Sequence, residues 1–525
     1  METHKIIIVG GGIEGWITAT TLIKLFPKKD ITLIDKHDSP SQGLAQSHAD
    51  YIKKWIRLIG LEDKEFIKAA DATYRLSTEF KNFYKKDYGS FHYPNGIPSF
   101  ILSHFFFNDW IGKKALHPNL GSHDFAETFW PIMQLVLHST YSENKHFEFE
   151  DAFLPIKYTS YNWDPDKFGN FLKSNHCLNK GVKYIVGDIT DTKTTKEGLE
   201  EIVINGSQCL KADFFIDCSG PDSLLLGKSM KVSFNEYKDI LINDSIITCH
   251  LPYKNKQKEL TLYNTAVAYN NGWISHIPLW SGINLRYTFS SKYTSKGKAL
   301  NEFIEYIKTN FSNRSLKDIE LKERTFKSGS YNKIWVKNVC AIGSSAGELE
   351  PLQNNSLFTV VEFLKVLSKT LWCKEDINQF DKDTFNATCL TRFRNLAEFT
   401  SLLFKLSVRE DTKYWKHITN QSTPLKGRTD EMLDKYCRSF EDVLHQRMTK
   451  GHFEDGIACM AFGMNYFPKD LTEIMWDRYH NDIEWHKPGF INALKTMEAH
   501  YKMWKKEAKK APLIYTYLKN NFYGK

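Results

Sequence analysis

The run Gly10-Gly11-Gly12-Ile13-Glu14-Gly15, followed twenty residues beyond its last glycine by Asp35, has the residue types and spacing to hold a dinucleotide. Gly10 permits a tight turn, Gly12 lets the backbone approach a pyrophosphate, and Gly15 lets a helix pack against a strand. The amides at the helix start then face the phosphates. Asp35 is placed to accept hydrogen bonds from an adenosine ribose. A glycine turn alone also serves purely structural ends, so the flanking residues decide. Lys5-Ile6-Ile7-Ile8-Val9 is a β-branched run suited to a buried strand, Trp16 to Leu25 has helical character, and Asp30 to Asp35 reads as a second strand ending on the acid. Strand, turn, helix, strand and acid in that order predict a dinucleotide-binding βαβ unit.

Further strands are expected in the same layer. Ala212 to Asp217 runs into Cys218-Ser219-Gly220, and Asn338 to Gly343 is again followed by small residues through Gly347. Lys183 to Gly187 and Leu199 to Ile204 read as strands of a meander. Small-residue strand ends so far apart predict a nucleotide domain interrupted by long insertions, and the pattern from about 357 onward is mostly helical, as in Phe358 to Leu371 and Phe490 to Lys510. The 525 residues are 42% hydrophobic and 25% charged, enough for a packed core, which excludes a disordered chain. A net charge of +8 spread over this length gives no concentrated basic patch, so no nucleic-acid partner is expected. The nine cysteines, with no Cys-x-x-Cys pair, predict reduced thiols in a cytoplasmic protein. The eighteen histidines lack ligand spacing, so no metal is expected. The longest apolar stretches are too short to span a bilayer, nothing near the N-terminus reads as a secretory signal, and the basic stretch Lys502 to Lys510 reads as a solvated helix face.

Four segments together resemble the flavin-dependent halogenases of the tryptophan halogenase family: Gly10 to Trp16, Ala212 to Gly220, Gly272-Trp273-Ile274-Ser275-His276-Ile277-Pro278-Leu279, and Val336 to Leu352 with its Ala346-Gly347-Glu348-Leu349-Glu350-Pro351-Leu352. The resemblance implies an α/β fold: a Rossmann-type FAD-binding domain of the glutathione-reductase kind over 1–356, inserted substrate-domain segments with a β-sheet at about 70–180 and 225–330, and a helical region, 357–525, closing the substrate site. It assigns FAD contacts to Gly10, Gly12, Gly15, Trp16, Asp35, Asp217, Gly220, Gly343 and Leu352.

The departures are equally specific. The family's lysine after an Ala-Thr-aromatic run falls on Arg75 of Ala72-Thr73-Tyr74-Arg75-Leu76, and the glutamate of its Glu-Ser-Thr-Gly falls on Gln353 of Gln353-Asn354-Asn355-Ser356. The second Trp of the Trp-x-Trp-x-Ile-Pro signature is Ser275, and Gly43-Leu44-Ala45-Gln46 stands at best for the family's Gly-Glu-Ala-Thr segment. By the resemblance, reduced FAD and oxygen oxidise halide to hypohalous acid, which travels through a tunnel to an aromatic substrate. Arg75 and Gln353 are then the candidate catalytic residues, expected at one end of that tunnel, and the amides of Asn355 and Ser356 the candidate halide site. A guanidinium stays protonated, so Arg75 is expected to polarise hypohalous acid by hydrogen bonding rather than form a haloamine. Its bland alternative is an ordinary structural arginine, and that of Gln353 a loop amide. His92, Phe105, Trp273, Trp476 and Trp485 are candidates for an aromatic substrate pocket, with core packing as the alternative. The expected partners are a small aromatic substrate and a separate flavin reductase, because no second nucleotide fingerprint is found; a homodimer is compatible with the sequence. The function expected is halogenation of an electron-rich aromatic with bromide or iodide favoured over chloride; the alternatives are aromatic hydroxylation without halide, or flavin binding without turnover.

Overall fold

The β-branched run near the N-terminus forms strand β1 (Lys5–Val9), with Ile6, Ile7 and Ile8 fully buried, and leads through helix α1 (Ile13–Leu25) to strand β2 (Asp30–Asp35). β1 and β2 are parallel, Lys5 opposite Asp30 and Val9 opposite Ile34, as the βαβ reading requires. The computed structural model describes residues 4–36, 46–47, 51–96, 98, 110, 113–114, 117–143, 158–312, 314, 319–352, 356–373, 376–420, 454–466 and 486–524. It divides into two compact units. The first comprises Met1–Thr73, Tyr161–Pro252 and Leu279–Ala397, the second Tyr74–Ser160, Tyr253–Pro278 and Glu398–Lys525. Within 225–330 the second unit takes Tyr253–Pro278. One unit boundary falls at Ala397, inside helix Gln379–Lys405.

In the first unit a six-stranded sheet runs in the order Trp335–Val336, Val339–Ala341, Phe214–Asp217, β1, β2, Lys183–Val186. Only the Trp335–Val336 edge is antiparallel. Strands buried on both faces read as continuous apolar runs, which is why Ile6–Val9 and Phe214–Ile216 were recognisable. Lys183–Val186 corrects the meander reading: it lies parallel beside β2, while Leu199–Ile204 forms a separate antiparallel sheet with Ile189–Thr194 and Gln208–Leu210. The cause is the helix Pro165–Leu172, capped by Asp164, which precedes Lys183 and returns the chain as a crossover to a parallel strand. Ser245–Pro252, flanked by Gly282–Phe289 and Lys322–Thr325, forms antiparallel pairs in the same unit.

The second unit contains the four strands Gly272–Pro278, Tyr263–Tyr269, Ser77–Lys81 and Ser90–Pro94, neighbours in that order. Its helices include Lys413–Asn420, Glu454–Gly463 and His486–Ala508. Among the described residues no helix is long and apolar enough to cross a membrane, no group of side chains has the makings of a metal site, and eight cysteines are free.

Candidate cofactor and transfer site

Gly10 adopts φ +112°, and a β-carbon there would overlap the carbonyl oxygen of Cys218; one on Gly15 would overlap the carbonyl oxygen of Gly10. These two glycines hold the turn against its own backbone. Gly12 differs. It is the N-cap of α1 and, lacking a side chain, cannot cap that helix start itself, and among the described residues a β-carbon on Gly12 would meet nothing within 4 Å. Helix-start amides beside a glycine with room in front of it form a cradle that fits a pyrophosphate. Asp35 accepts hydrogen bonds from the Gly11 and Lys36 amides, and its pKa is raised, chiefly by burial. Gly220, φ +81°, likewise leaves open space at the end of the strand Phe214–Asp217. Gly10, Gly11, Gly12, Asp35 and Gly220 are the residues here that would hold FAD.

Other expected FAD contacts also have partners within the protein. Asp217 is fully buried, and both carboxylate oxygens serve the protein: Oδ1 accepts from the Ser219 amide at 3.0 Å and Ser219 Oγ at 2.6 Å, and Oδ2 from the Leu225 and Leu226 amides at 2.8 Å each. These bonds shape the turn after the strand. Trp16 is buried with its ring 5.4 Å from that of Tyr184, and a β-carbon on Gly169 would lie 3.4 Å from it, so it packs α1 against its neighbours. Leu352 is buried, its amide donating to Glu350 O at 2.9 Å.

Gly343, φ +73°, makes room for a residue the sequence reading passed over: a β-carbon there would overlap the carboxylate of Glu14. That carboxylate accepts from the Ser344 amide at 3.0 and 3.1 Å and from Ser344 Oγ at 2.8 Å, tying the glycine-rich turn to the turn after Val339–Ala341. An acid inside the fingerprint was the only sequence signal. Glu14 is part-buried as a residue, but its carboxyl group is enclosed; desolvation pushes its pKa up to about 7, opposed by the Ser344 hydrogen bonds, with smaller effects from Glu348, which raises it, and Arg324, which lowers it. Such a group favours the fold below its unfolded pKa near 4.5, and this contribution is lost as pH rises through about 7. Wild-type protein is therefore expected to lose about 2 kcal/mol of stability between pH 4.5 and 7.5 relative to Glu14→Gln, discounting for partial exposure. Paired denaturant titrations across that range check this; parallel curves for the two proteins would refute it.

Glu348 is ion-paired with Arg324, and Arg286, which is buried, has its pKa pushed down to about 9 by desolvation and by Arg324. Glu350 accepts from Asn243 Nδ2 at 3.1 Å on both oxygens, and its amide donates to Ser328 Oγ at 3.2 Å. These bonds pin the stretch Gly347–Leu352 that leads into the expected halide loop. Gln353 and Asn355 themselves lie outside the described residues, and Ser356 opens the helix Ser356–Cys373.

In the second unit Arg75 is buried, with Nη1 donating to Thr78 Oγ1 at 2.7 Å and Nη2 to Asn95 Oδ1 at 3.3 Å. Adjacent residues of a strand point to opposite faces; Tyr74 packs against Tyr141 at 4.8 Å and Tyr517 and Phe522 at 6.1 Å. His92 is buried, its Nδ1 2.7 Å from Ser77 Oγ and its ring 5.1 Å from that of Tyr263, and burial pushes its pKa down to about 4, so it is neutral at pH 7. Trp273 is fully enclosed, and Ser275 is buried with no partner for its hydroxyl among the described residues. Phe105, Trp476, Trp485 and Gly43-Leu44-Ala45 lie outside the described residues.

A family model described as tryptophan halogenase matches residues 5–477, nearly the whole chain. The chain belongs to the tryptophan halogenase family. It is thus a flavin-dependent halogenase-type enzyme with a Rossmann-type α/β fold. Among its relatives is the tryptophan 7-halogenase RebH of Lentzea aerocolonigenes, 26% identical over 459 residues that cover 83% of this chain and 82% of that one. Among solved structures, VirX1 superposes with a TM-score of 0.87 at 28% identity over 100% of both chains. The flavin-dependent halogenase Xcc4156 from Xanthomonas campestris has a TM-score of 0.84 at 19% identity, covering 99% of both chains, a likeness of fold.

Proposed function

We propose that this member of the family halogenates a small, electron-rich aromatic substrate, drawing reduced FAD from a separate flavin reductase and favouring bromide or iodide over chloride. The observation that carries the reading is the glycine helix start at Gly12, with room at its β-carbon position, beside Asp35. Bound there and reduced, FAD supplies the two electrons with which oxygen turns halide into an electrophile. The residues of the chain do the rest. Gly12 brings backbone to the pyrophosphate at the turn that Gly10 permits, Asp35 receives the ribose, and the amides of Asn355 and Ser356 hold halide. Arg75 keeps its charge and offers N–H donors to the hypohalous oxygen, drawing electron density from the halogen. Gln353 orients but cannot take up a proton as a carboxylate would. His92, neutral at pH 7, suits an uncharged aromatic neighbour. The same reading includes a cytoplasmic protein able to form a homodimer.

The test incubates purified protein with FAD, a flavin reductase, NADH, oxygen and each halide in turn over a panel of phenols and indoles, followed by mass spectrometry. Halogenated product dependent on halide and reductase is expected. Oxygenated product without halide would replace the reading with a monooxygenase, and FAD binding without any product would replace it with a non-catalytic flavin protein.

A further inference from the structure

The guanidinium of Arg75 is held by two side chains that the functional reading does not otherwise use. We infer that Asn95 and Thr78 are positioning residues for Arg75: they form a two-point clamp that presents one fixed orientation of its fork to the electrophile. The inference rests on the proposed role of Arg75 in halogen transfer.

The hydrogen bonds leave little choice of arrangement. Asn95 Nδ2 donates to the main-chain oxygen of Arg75 at 2.9 Å and to that of Tyr158 at 3.2 Å, so its Oδ1 must be the atom facing Arg75 Nη2. The Asn95 amide donates to Leu76 O at 2.7 Å, on the residue following Arg75. One side chain therefore grips both the backbone and the head group of Arg75, while its own backbone fixes the next residue. Thr78 holds Nη1 from three positions along the chain, at 2.7 Å. All three are buried: Arg75 is 3% exposed, Asn95 6% and Thr78 2%. The two acceptors meet separate nitrogens of a planar, forked donor, a geometry that a lysine's single ammonium does not match. Asn95 and Thr78 act by holding Arg75 and are not themselves catalytic residues. Their effect on turnover must pass through Arg75.

That dependence is measurable as a double-mutant cycle on the full-length protein with FAD, reductase and bromide. Thr78→Val keeps the volume and removes the acceptor; Asn95→Ala removes the whole clamp on that side. Each is expected to lower bromination of a phenol by roughly tenfold in the presence of Arg75, the scale of one hydrogen bond to a charged group, and by less than about twofold in an Arg75→Ala background. The share of oxidised bromide that escapes as free hypobromous acid, trapped with monochlorodimedone, is expected to rise in both single variants. A purely structural role would not move that share. Equal losses with and without Arg75 overturn the clamp and leave the role of Arg75 standing. Full bromination by Arg75→Ala alone overturns that role, and the clamp with it. If Asn95→Ala does not fold, the Thr78→Val arm decides.

Discussion

Gly12→Val is expected to weaken FAD binding at least about a hundredfold, nearly 3 kcal/mol, while lowering the melting temperature of the cofactor-free protein by only about 2–4 °C. Gly15→Ala is expected to do the reverse, destabilising the fold by several kcal/mol whether or not FAD is added. The separation follows from what each missing side chain would touch. At Gly12 the backbone has φ −67° and ψ 177°, extended values any residue adopts, and among the described residues a β-carbon has only open space before it. A branched side chain there occupies the place of the phosphate and harms the protein little beyond a weaker helix cap. At Gly15 the β-carbon collides with the carbonyl oxygen of Gly10, a rigid backbone atom in the turn itself. Fluorescence titration with FAD and thermal melts of both variants check the contrast. Wild-type protein with no affinity for oxidised or reduced FAD would sink the cofactor assignment, and a Gly12→Val protein that binds normally would place the pyrophosphate elsewhere.

The βαβ unit was legible because local pattern and tertiary role coincide in it: β1 is apolar because both faces are covered, and the glycines are where close backbone approach demands them. Lys183–Val186 shows the limit. Four residues of strand character say nothing about which partner they pair with, and only the helical crossover before them settles it. Asp217 shows a related limit. An acid at the end of a strand matches the cofactor pattern, but its type cannot reveal that Ser219 and the Leu225 and Leu226 amides bond both of its oxygens. Glu14 and Asn95 were missed outright, since their partners Ser344 and Arg75 lie 330 and 20 positions away in sequence and only the fold brings them together.

Bromide or iodide turnover on an electron-rich phenol is expected to exceed chloride turnover by at least about tenfold, a difference of only about 1.4 kcal/mol in barrier. Chloride is the hardest of the three to oxidise and the smallest to retain, so a site lacking the family's lysine and glutamate loses most where activation demands most. The sequence alone suggests that Arg75→Lys with Gln353→Glu would raise chlorination. The clamp around Arg75 qualifies that expectation. A lysine in place of the fork leaves Asn95 Oδ1 or Thr78 Oγ1 short of its donor in a buried setting, a loss of about 1–3 kcal/mol. The double variant is therefore expected to raise the chloride-to-bromide product ratio while melting several degrees lower than wild type. Halide competition assays with product ratios read by mass spectrometry, alongside melting curves, separate the two effects. An unchanged ratio would show that residues 75 and 353 do not govern halide choice. Inactivity with all three halides, in wild type and variant alike, with FAD bound and reduced, would mean that the chain keeps the family's cofactor cradle without its transfer chemistry, because the electrons would then be present and only delivery would be missing.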